Sequence, residues 1–273
     1  MASKFLAAAA CSLLITEAAV LSQQPAAALE DRLRDYIARF EQEATALVAE
    51  EEYVQRRYGL RGGARRMRSE YVLLKPSDTQ PWLGYRDIFE IDGREVRDRD
   101  DRLVKVLSGT AADSRERALA MVDEGARFNV GPRRTTNVPT LPIQMLARAH
   151  AARFRLHVPR GWERDREVEI RFTEIVRPTI IRTPEGDSVE SRGEMTVRVT
   201  DGAILEAAVR FYFRNERTLE MGRESGARMS VIYGDVPGIS VPVPLKMTEV
   251  VAGTEGVATY SKYRRFQTTT RIR

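Results

Sequence analysis

The stretch Glu167-Val168-Glu169-Ile170-Arg171-Phe172 decides the fold class, because charged and apolar residues alternate along it. A period of two predicts a β-strand with one buried face and one face in water. The pattern continues through Met195-Thr196-Val197 and resumes after Asp201-Gly202, a pair typical of a tight hairpin turn. The chain from Phe154 to Thr268 therefore predicts successive antiparallel strands.

Two further strands are predicted upstream of this region. Met67 and Tyr71 fall on one face of the first, and Leu83 to Ile91 form the second, which ends at Asp92-Gly93. The alternation places Phe89 on the apolar face of the second strand. Asp87 shares that face, and we expect it to be a salt-bridged structural residue, because an unpaired buried carboxylate is costly.

An amphipathic helix precedes the strands. From Leu29 to Val48 the apolar residues recur every three or four positions. Together these patterns predict an α+β fold: a strongly curved antiparallel sheet, or half-open β-barrel, of about ten strands with an N-terminal helix.

Residues 101–150 predict a helical insert in the sheet. Asp113 and Glu116 fit a capping box, and residues 117–128 have helical character. After a proline-containing loop at 137–142, a short helix carries Ile143, Met145 and Leu146. Two interpretations of this short helix stay open: a lid over a cavity, or a helix packed permanently on the sheet.

The N-terminus predicts an export signal. Lys4 is followed by an apolar run, and small residues suit cleavage after residue 22 or as late as 28. The alternative, a transmembrane anchor, is disfavoured because the run is shorter than about 20 apolar residues and contains Glu17. Removal of residues 1–22 would take away Cys11, the only cysteine, so no disulfide is expected. We expect residues 29–273 to form a single domain, secreted or periplasmic, with no transmembrane span and as a monomer.

The net charge of +5 gives little information about partners, because 39 arginines are dispersed among 39 acidic residues. One segment is locally basic, with Arg61, Arg65 and Arg66 around a glycine-rich hairpin tip. Contact of this tip with an anionic surface is one interpretation, and a solvated turn screened by salt is the other. We expect no nucleic-acid partner, since no binding motif is present.

The sequence contains no recognisable catalytic, cofactor-binding or metal-binding motif. His150 and His157 are the only histidines, and we expect both to be structural or solvent-facing. Asp98, Asp100 and Asp101 alternate with arginines and lack the spacing of a calcium loop. We therefore predict a non-enzymatic protein with no catalytic residues, no metal and no cofactor.

Several short stretches, most of them in the C-terminal third, resemble a known family. They are Leu47-Val48-Ala49-Glu50-Glu51, Glu194-Met195-Thr196-Val197, Asp201-Gly202, Val231-Ile232-Tyr233, Pro242-Val243-Pro244-Leu245-Lys246-Met247 and Ala258-Thr259-Tyr260-Ser261. With the helix–sheet–insert order they resemble the LolA/LolB-like periplasmic lipoprotein carriers and a group of uncharacterised secreted bacterial proteins. The resemblance implies a half-open barrel whose helical lid covers a hydrophobic ligand cavity.

Two functions follow as hypotheses. The first is a carrier or sensor of a lipid or lipoprotein acyl chain, with a cavity and lid formed by Phe89, Leu141, Met145, Leu146, Phe172, Phe211 and Phe213. The second is a cell-envelope protein-interaction module in which the same residues form an ordinary filled core without a ligand.

Overall fold

The computed structural model describes residues 27–45, 47–58, 64–74, 83–96, 102–107, 110–213 and 225–266. The predicted export signal, residues 1–22, lies outside the described residues. Four α-helices are described: α1 (27–43), α2 (Arg102–Leu107), α3 (Ala111–Arg127) and α4 (Leu141–Leu146). The strands are β1 (Leu47–Arg57), β2 (Arg65–Leu74), β3 (Leu83–Ile91), β4 (Arg94–Glu95), β5 (Phe154–His157), β6 (Glu167–Glu174), β7 (Glu190–Arg198), β8 (Ile204–Phe213), β9 (Ser225–Gly234), β10 (Val243–Val251) and β11 (Thr254–Arg265).

All of these strands belong to one antiparallel sheet, so the predicted α+β fold with a curved, half-open sheet is confirmed. The order across the sheet is β4-β3-β2-β1-β11-β10-β9-β8-β7-β6-β5. Consecutive strands are neighbours in the sheet except for β4 and β5, which the helical insert separates and which lie at opposite edges. The last strand, β11, returns to pair with β1. The short strands β4 and β5 form the two edges of the described sheet, which therefore curls without closing.

Helices α1 and α4 lie against the inner, concave face of the sheet. The main core cluster includes Leu33 and Phe40 from α1, Ile143 from α4, and Ile170 and Val231 from the sheet, each with less than about 2% of its surface exposed. The periodicity that predicts α1 from Leu29 onward thus corresponds to a buried face, but the helix ends at residue 43, and Leu47 and Val48, which continue the spacing, begin β1 instead. Much of the concave face is filled by these side chains.

The turn between β7 and β8 holds α1 close to the sheet. Gly202 has a φ of +74°, and a Cβ at this position would lie 2.3 Å from the backbone carbonyl of Arg32. Only glycine fits both the conformation and the space. Arg32 also donates a hydrogen bond from Nη1 to the Val199 carbonyl at 2.8 Å. One end of the concave face is therefore closed by α1.

Most of the helical insert lies on the opposite, convex face and does not cover the cavity side. Helix α3 packs on β3, and a back-face cluster joins the helices to the sheet through Val48, Val72, Leu74, Tyr85, Val106, Ala118 and Met121. The predicted insert of residues 101–150 is thus divided: α2 and α3 cover the back of the sheet, and only α4 lies on the inner face. Helix α3 begins earlier than predicted, because Thr110 is its N-cap and accepts a hydrogen bond from the Asp113 N–H.

Phe89 faces the convex side of the sheet, next to a β-bulge in β3, and the prediction that it lines the cavity is therefore corrected. Arg68 of β2 pairs with Glu90 and the next residue, Ser69, pairs with Ile88, so Phe89 is the extra residue. Phe89 and Glu90 both contact Arg68, whose guanidinium lies 5.1 Å from the Phe89 ring centroid. Tyr85 and Asp87 face the helices at the back of the sheet, and alternation gives Phe89 the same orientation. Ile88 packs in the main core cluster, and after the bulge Ile91 returns to that side.

Asp87 is the structural carboxylate that the sequence predicts. Its surface is 2% exposed, and its Oδ1 lies 4.0 Å from Nη1 of Arg102 on α2. This pairing helps to hold the insert against the back of the sheet, although the distance is at the limit for an ion pair.

Candidate functional site

The concave face is open at the end where β8 finishes and β9 begins. An open cleft of about 1080 Å³ lies here. Phe211, Phe213, Ala227 and Met229 form its sheet wall, because these alternate positions of β8 and β9 point inward. The cleft lies at the upper end of the ~300–1,000 Å³ range of small-molecule sites and has an apolar wall.

Two loops form the opposite side of the cleft. One is the segment 130–137 between α3 and α4, and the other is the hairpin around residues 181–187, which closes through a bridge between Arg182 and Ser188. Ile181 packs against the main core cluster, whereas Arg133, Arg182 and Glu185 supply charges at the rim. The cleft thus combines an apolar interior with a polar opening.

A buried ion pair forms part of the cleft lining. Arg134 donates from Nε to Glu249 Oε2 at 3.0 Å and makes a second, shorter bond from Nη2 to Oε1. The two side chains are only 8% and 6% exposed. Glu249 also accepts a short hydrogen bond from Tyr53, and burial, followed by the nearby Glu249 charge, raises the pKa of Tyr53. Arg134 is therefore held in place by a carboxylate of β10.

Amide side chains fix the loop 130–137 on strand β1. Asn129 Oδ1 accepts from Gln55 Nε2 and from Asn137 Nδ2, each at 2.9 Å. Gln55 Oε1 in turn accepts from the Val130 N–H at 2.6 Å. Arg134 adds bonds from Nη1 to the Val130 carbonyl at 3.0 Å and to the Pro132 carbonyl. These bonds make this side of the cleft a fixed wall.

A second buried ion pair lies next to this network on the inner face. Arg86 binds Glu51 through two bonds of 2.5 and 2.8 Å, and Ser69 donates to the same carboxylate at 2.7 Å. The Arg86 guanidinium lies 4.9 Å from the Tyr53 ring centroid. The Glu51 charge raises the pKa of Arg86 well above its ordinary value in spite of burial. The inner face near β1 is therefore lined with paired charges.

The structure brings only two of the seven predicted cavity residues to the cleft. Phe211 and Phe213 line it. Leu141, Met145, Leu146 and Phe172 are packed in the main core cluster, and Phe89 lies at the β3 bulge.

The predicted basic hairpin residues are partly paired with acids. Arg65 Nε lies 3.9 Å from Asp92, and Arg66 Nε lies 3.4 Å from Glu52. Arg65 also donates to the Phe128 carbonyl at 3.1 Å. Arg61 lies outside the described residues, so anionic-surface contact by this hairpin stays a prediction.

Four further residues line the cleft and were not predicted from the sequence: Ala227, Met229, Arg134 and Glu249. Glu249 gives a signal in the sequence, because it falls between Met247 and Val251 at an inward position of an alternating strand. Such a charge requires a buried partner. The partner, Arg134, is distant in sequence and carries no pattern of its own.

Within the described ranges, no group of three or more His, Asp or Glu side chains is placed to hold a metal ion. His150 is half-buried beside α4, His157 is exposed on β5, and residues 97–101 lie outside the described residues. No helix among the described residues is long and apolar enough to cross a membrane.

No protein-family model matches the chain, and no significant match is found among curated proteins. Three solved structures are similar to it over most of its length. A LolA superfamily protein from Nitrosomonas europaea is 10% identical with a TM-score of 0.35, and the alignment covers 88% of this chain and 96% of that one. A domain from Vibrio parahaemolyticus, described as outer membrane lipoprotein-sorting, is 10% identical with a TM-score of 0.43 and coverage of 87% and 92%.

The third similar structure is a DUF1329 family protein from Desulfovibrio piger, which is 11% identical with a TM-score of 0.38 and coverage of 88% and 93%. A LolA superfamily member is thus among the similar structures, as the sequence resemblance predicts. At these identities and scores, any functional argument depends on the geometry of this chain itself.

Proposed function

We propose that the protein is a non-enzymatic carrier that holds the acyl chain of a lipid or lipoprotein in the cleft, and that it acts in the periplasm. The observation that carries the proposal is the open cleft of about 1080 Å³ on the concave face, with Phe211, Phe213 and Met229 along its sheet wall. An apolar chain would lie on these side chains, and its polar head would stay at the charged rim.

The expected binding energy is sufficient for a reversible carrier. Each buried methylene contributes about 0.8 kcal/mol, so a chain of about 14 carbons gains roughly 10 kcal/mol before the costs of association. Those costs reduce the net affinity to a range in which loading and release are both practical. The paired charges of Arg134 and Glu249 favour a ligand that leaves this corner of the cleft undisturbed.

A second candidate is an envelope protein-interaction module without a ligand. It is supported by the burial of Leu141, Met145, Leu146 and Phe172 in the main core cluster, because these residues then need no ligand to cover them. The two candidates differ in the occupant of the cleft: an acyl chain in the first, and only water in the second.

Titration of the purified chain with a fluorescent fatty acid separates these candidates. We expect saturable binding at one site in the micromolar range or below. Ala227→Trp, which places an indole on the sheet wall of the cleft, should weaken binding at least tenfold. Ser230→Trp is the matched control, because this position of β9 has the opposite orientation and the variant should bind as the unmodified chain does.

The result that would contradict the proposal is an absence of saturable binding, or equal affinity in the unmodified chain and the Ala227→Trp variant. Circular dichroism and thermal unfolding of both variants establish that each is folded before its affinity is compared.

A further inference from the structure

Three arginines stand directly opposite one another on the convex face. Arg192 of β7 pairs in register with Arg210 of β8, and Arg210 pairs with Arg228 of β9. All three side chains are exposed. We call them the arginine row. Cross-strand partners have Cβ atoms about 5 Å apart, and like charges in such positions destabilise a sheet.

The carboxylates that the structure describes near this row do not neutralise it. Glu194 Oε1 lies 3.6 Å from Nη2 of Arg228, and Glu190 Oε2 lies 3.9 Å from Nη2 of Arg192. Glu190 is shared with Arg177, whose Nη2 is closer, at 2.6 Å. Arg210, in the middle, has no ion pair with any described residue. Among the residues described here, four arginines thus share two glutamates, which leaves a local excess of positive charge.

The row is bordered by groups that suit the interface of a membrane. The Arg192 guanidinium lies 5.4 Å from the ring centroid of Tyr212, an amphipathic side chain typical of the headgroup level. On the other side Arg228 pairs in register with Val250, which is 44% exposed. Apolar and aromatic side chains beside cations are the combination that binds lipid headgroups and the adjacent acyl region.

The row also adjoins the opening of the cleft. Arg228 and Val250 contribute to the cleft lining, and Phe211 and Phe213 of the cleft wall neighbour Arg210 and Tyr212 along β8. A membrane held by the arginine row would therefore lie beside the place where an acyl chain enters.

We propose that the arginine row of Arg192, Arg210 and Arg228 is a docking site for the phosphate groups of an anionic phospholipid surface. Docking there brings the cleft opening to the membrane. The use of this orientation for acyl transfer rests on the proposed function, whereas docking itself does not. The charge complementarity of clustered guanidinium groups and lipid phosphates carries the inference.

Co-sedimentation with vesicles of equal parts phosphatidylglycerol and phosphatidylcholine tests the docking site. We expect the chain to bind these vesicles at low salt, to bind pure phosphatidylcholine vesicles weakly, and to lose binding as salt rises. Each basic residue near an anionic surface contributes about fivefold in affinity, so Arg192→Gln, Arg210→Gln and Arg228→Gln together should weaken binding by about 100-fold.

The matched control carries the same change in charge elsewhere. Arg155→Gln, Arg160→Gln and Arg164→Gln combined remove three exposed arginines in and near β5 and β6. We expect this variant to retain vesicle binding within about fivefold. The proposal would be overturned if the unmodified chain did not bind the vesicles, or if both triple variants lost the same amount of vesicle binding. Binding of an acidic protein to the row would not rescue it.

Fatty acid titration of a double variant, Arg192→Gln/Arg210→Gln, separates this proposal from the proposed function. This variant should lose part of the vesicle binding but bind the fluorescent fatty acid as the unmodified chain does, because neither residue lines the cleft. Failure of vesicle docking with intact fatty acid binding rejects the docking site alone, and the reverse result rejects the carrier function alone.

Discussion

The buried pair of Arg134 and Glu249 should be essential for the stability of the cleft wall. Glu249→Gln keeps the size and shape of the side chain but leaves the Arg134 guanidinium without its counterion. The two side chains are 8% and 6% exposed, so water cannot replace the lost charge. Breaking one partner of a buried pair costs about 3–5 kcal/mol. Since glutamine still accepts a hydrogen bond, we expect about 3 kcal/mol less free energy of unfolding.

Urea denaturation and thermal unfolding followed by circular dichroism measure this loss. For a chain of this size, about 3 kcal/mol corresponds to a fall in Tm of about 6–12 °C. Glu206→Gln, at an exposed position of β8, is the control and should change the free energy of unfolding by less than about 0.5 kcal/mol. A Glu249→Gln effect as small as that of the control would refute the account of the pair.

A double-mutant cycle provides a second check on the same pair. Arg134→Met alone leaves the Glu249 carboxylate buried without its arginine, whereas the double variant Arg134→Met/Glu249→Gln removes both charges of this pair. The sum of the losses in free energy of unfolding in the two single variants should therefore exceed the loss in the double variant by at least about 1 kcal/mol. Strict additivity would show that the two side chains do not interact.

Three further predictions concern other parts of the fold. Gly202→Ala should lower the free energy of unfolding by at least about 2 kcal/mol, because the new Cβ would meet the Arg32 backbone. Gly238→Ala is the control: its φ of +83° is similar but the space around it is open, so chemical denaturation should show a loss of only about 1 kcal/mol. Tyr85→Phe should raise the free energy of unfolding by about 1 kcal/mol, because the buried Tyr85 hydroxyl has no hydrogen-bond partner among the described residues. Burial lowers the pKa of the His150 imidazole below its ordinary value of about 6.5, so this side chain binds a proton more readily in the unfolded chain than in the folded one. The free energy of unfolding should therefore fall as the pH drops from about 7 toward 5. A His150→Asn variant should show a smaller fall over the same range.

Each of these predictions has a contradicting result. Equal losses in the two glycine variants would show that Gly202 is needed only for its backbone conformation. A Tyr85→Phe variant that loses more than about 1 kcal/mol would show that the hydroxyl is bound. Identical pH dependence of unfolding with and without His150 would remove its assigned role.

The sheet and α1 were predictable because their periodicity is local. Alternation along Glu167–Phe172 and the helical spacing from Leu29 each record which side of an element is buried. The order of strands also follows, since consecutive antiparallel strands pair when turns such as Asp201-Gly202 separate them. The return of β11 to β1 carries no local signal.

The site was less predictable because it depends on contacts between distant parts of the chain. Alternation groups Phe89 with Tyr85 and Asp87, but it cannot reveal that this side of β3 is the convex one, covered by α2 and α3. The cleft depends on where α4 and the loop 130–137 leave the concave face uncovered. Phe211 and Phe213 were predicted from strand spacing, but Phe172 has the same spacing and is packed in the core.

The most direct test of the carrier function is photo-crosslinking of the chain with a diazirine-bearing fatty acid, followed by peptide mapping. We expect adducts on the inward-facing residues where β8 ends and β9 begins, in particular Phe211, Phe213 and Met229, and we expect the Ala227→Trp variant to lose them. Adducts spread over the whole surface would contradict the proposal that the cleft holds an acyl chain. Adducts that occur only outside the cleft, and equally in the unmodified chain and the Ser230→Trp variant, would contradict it as well.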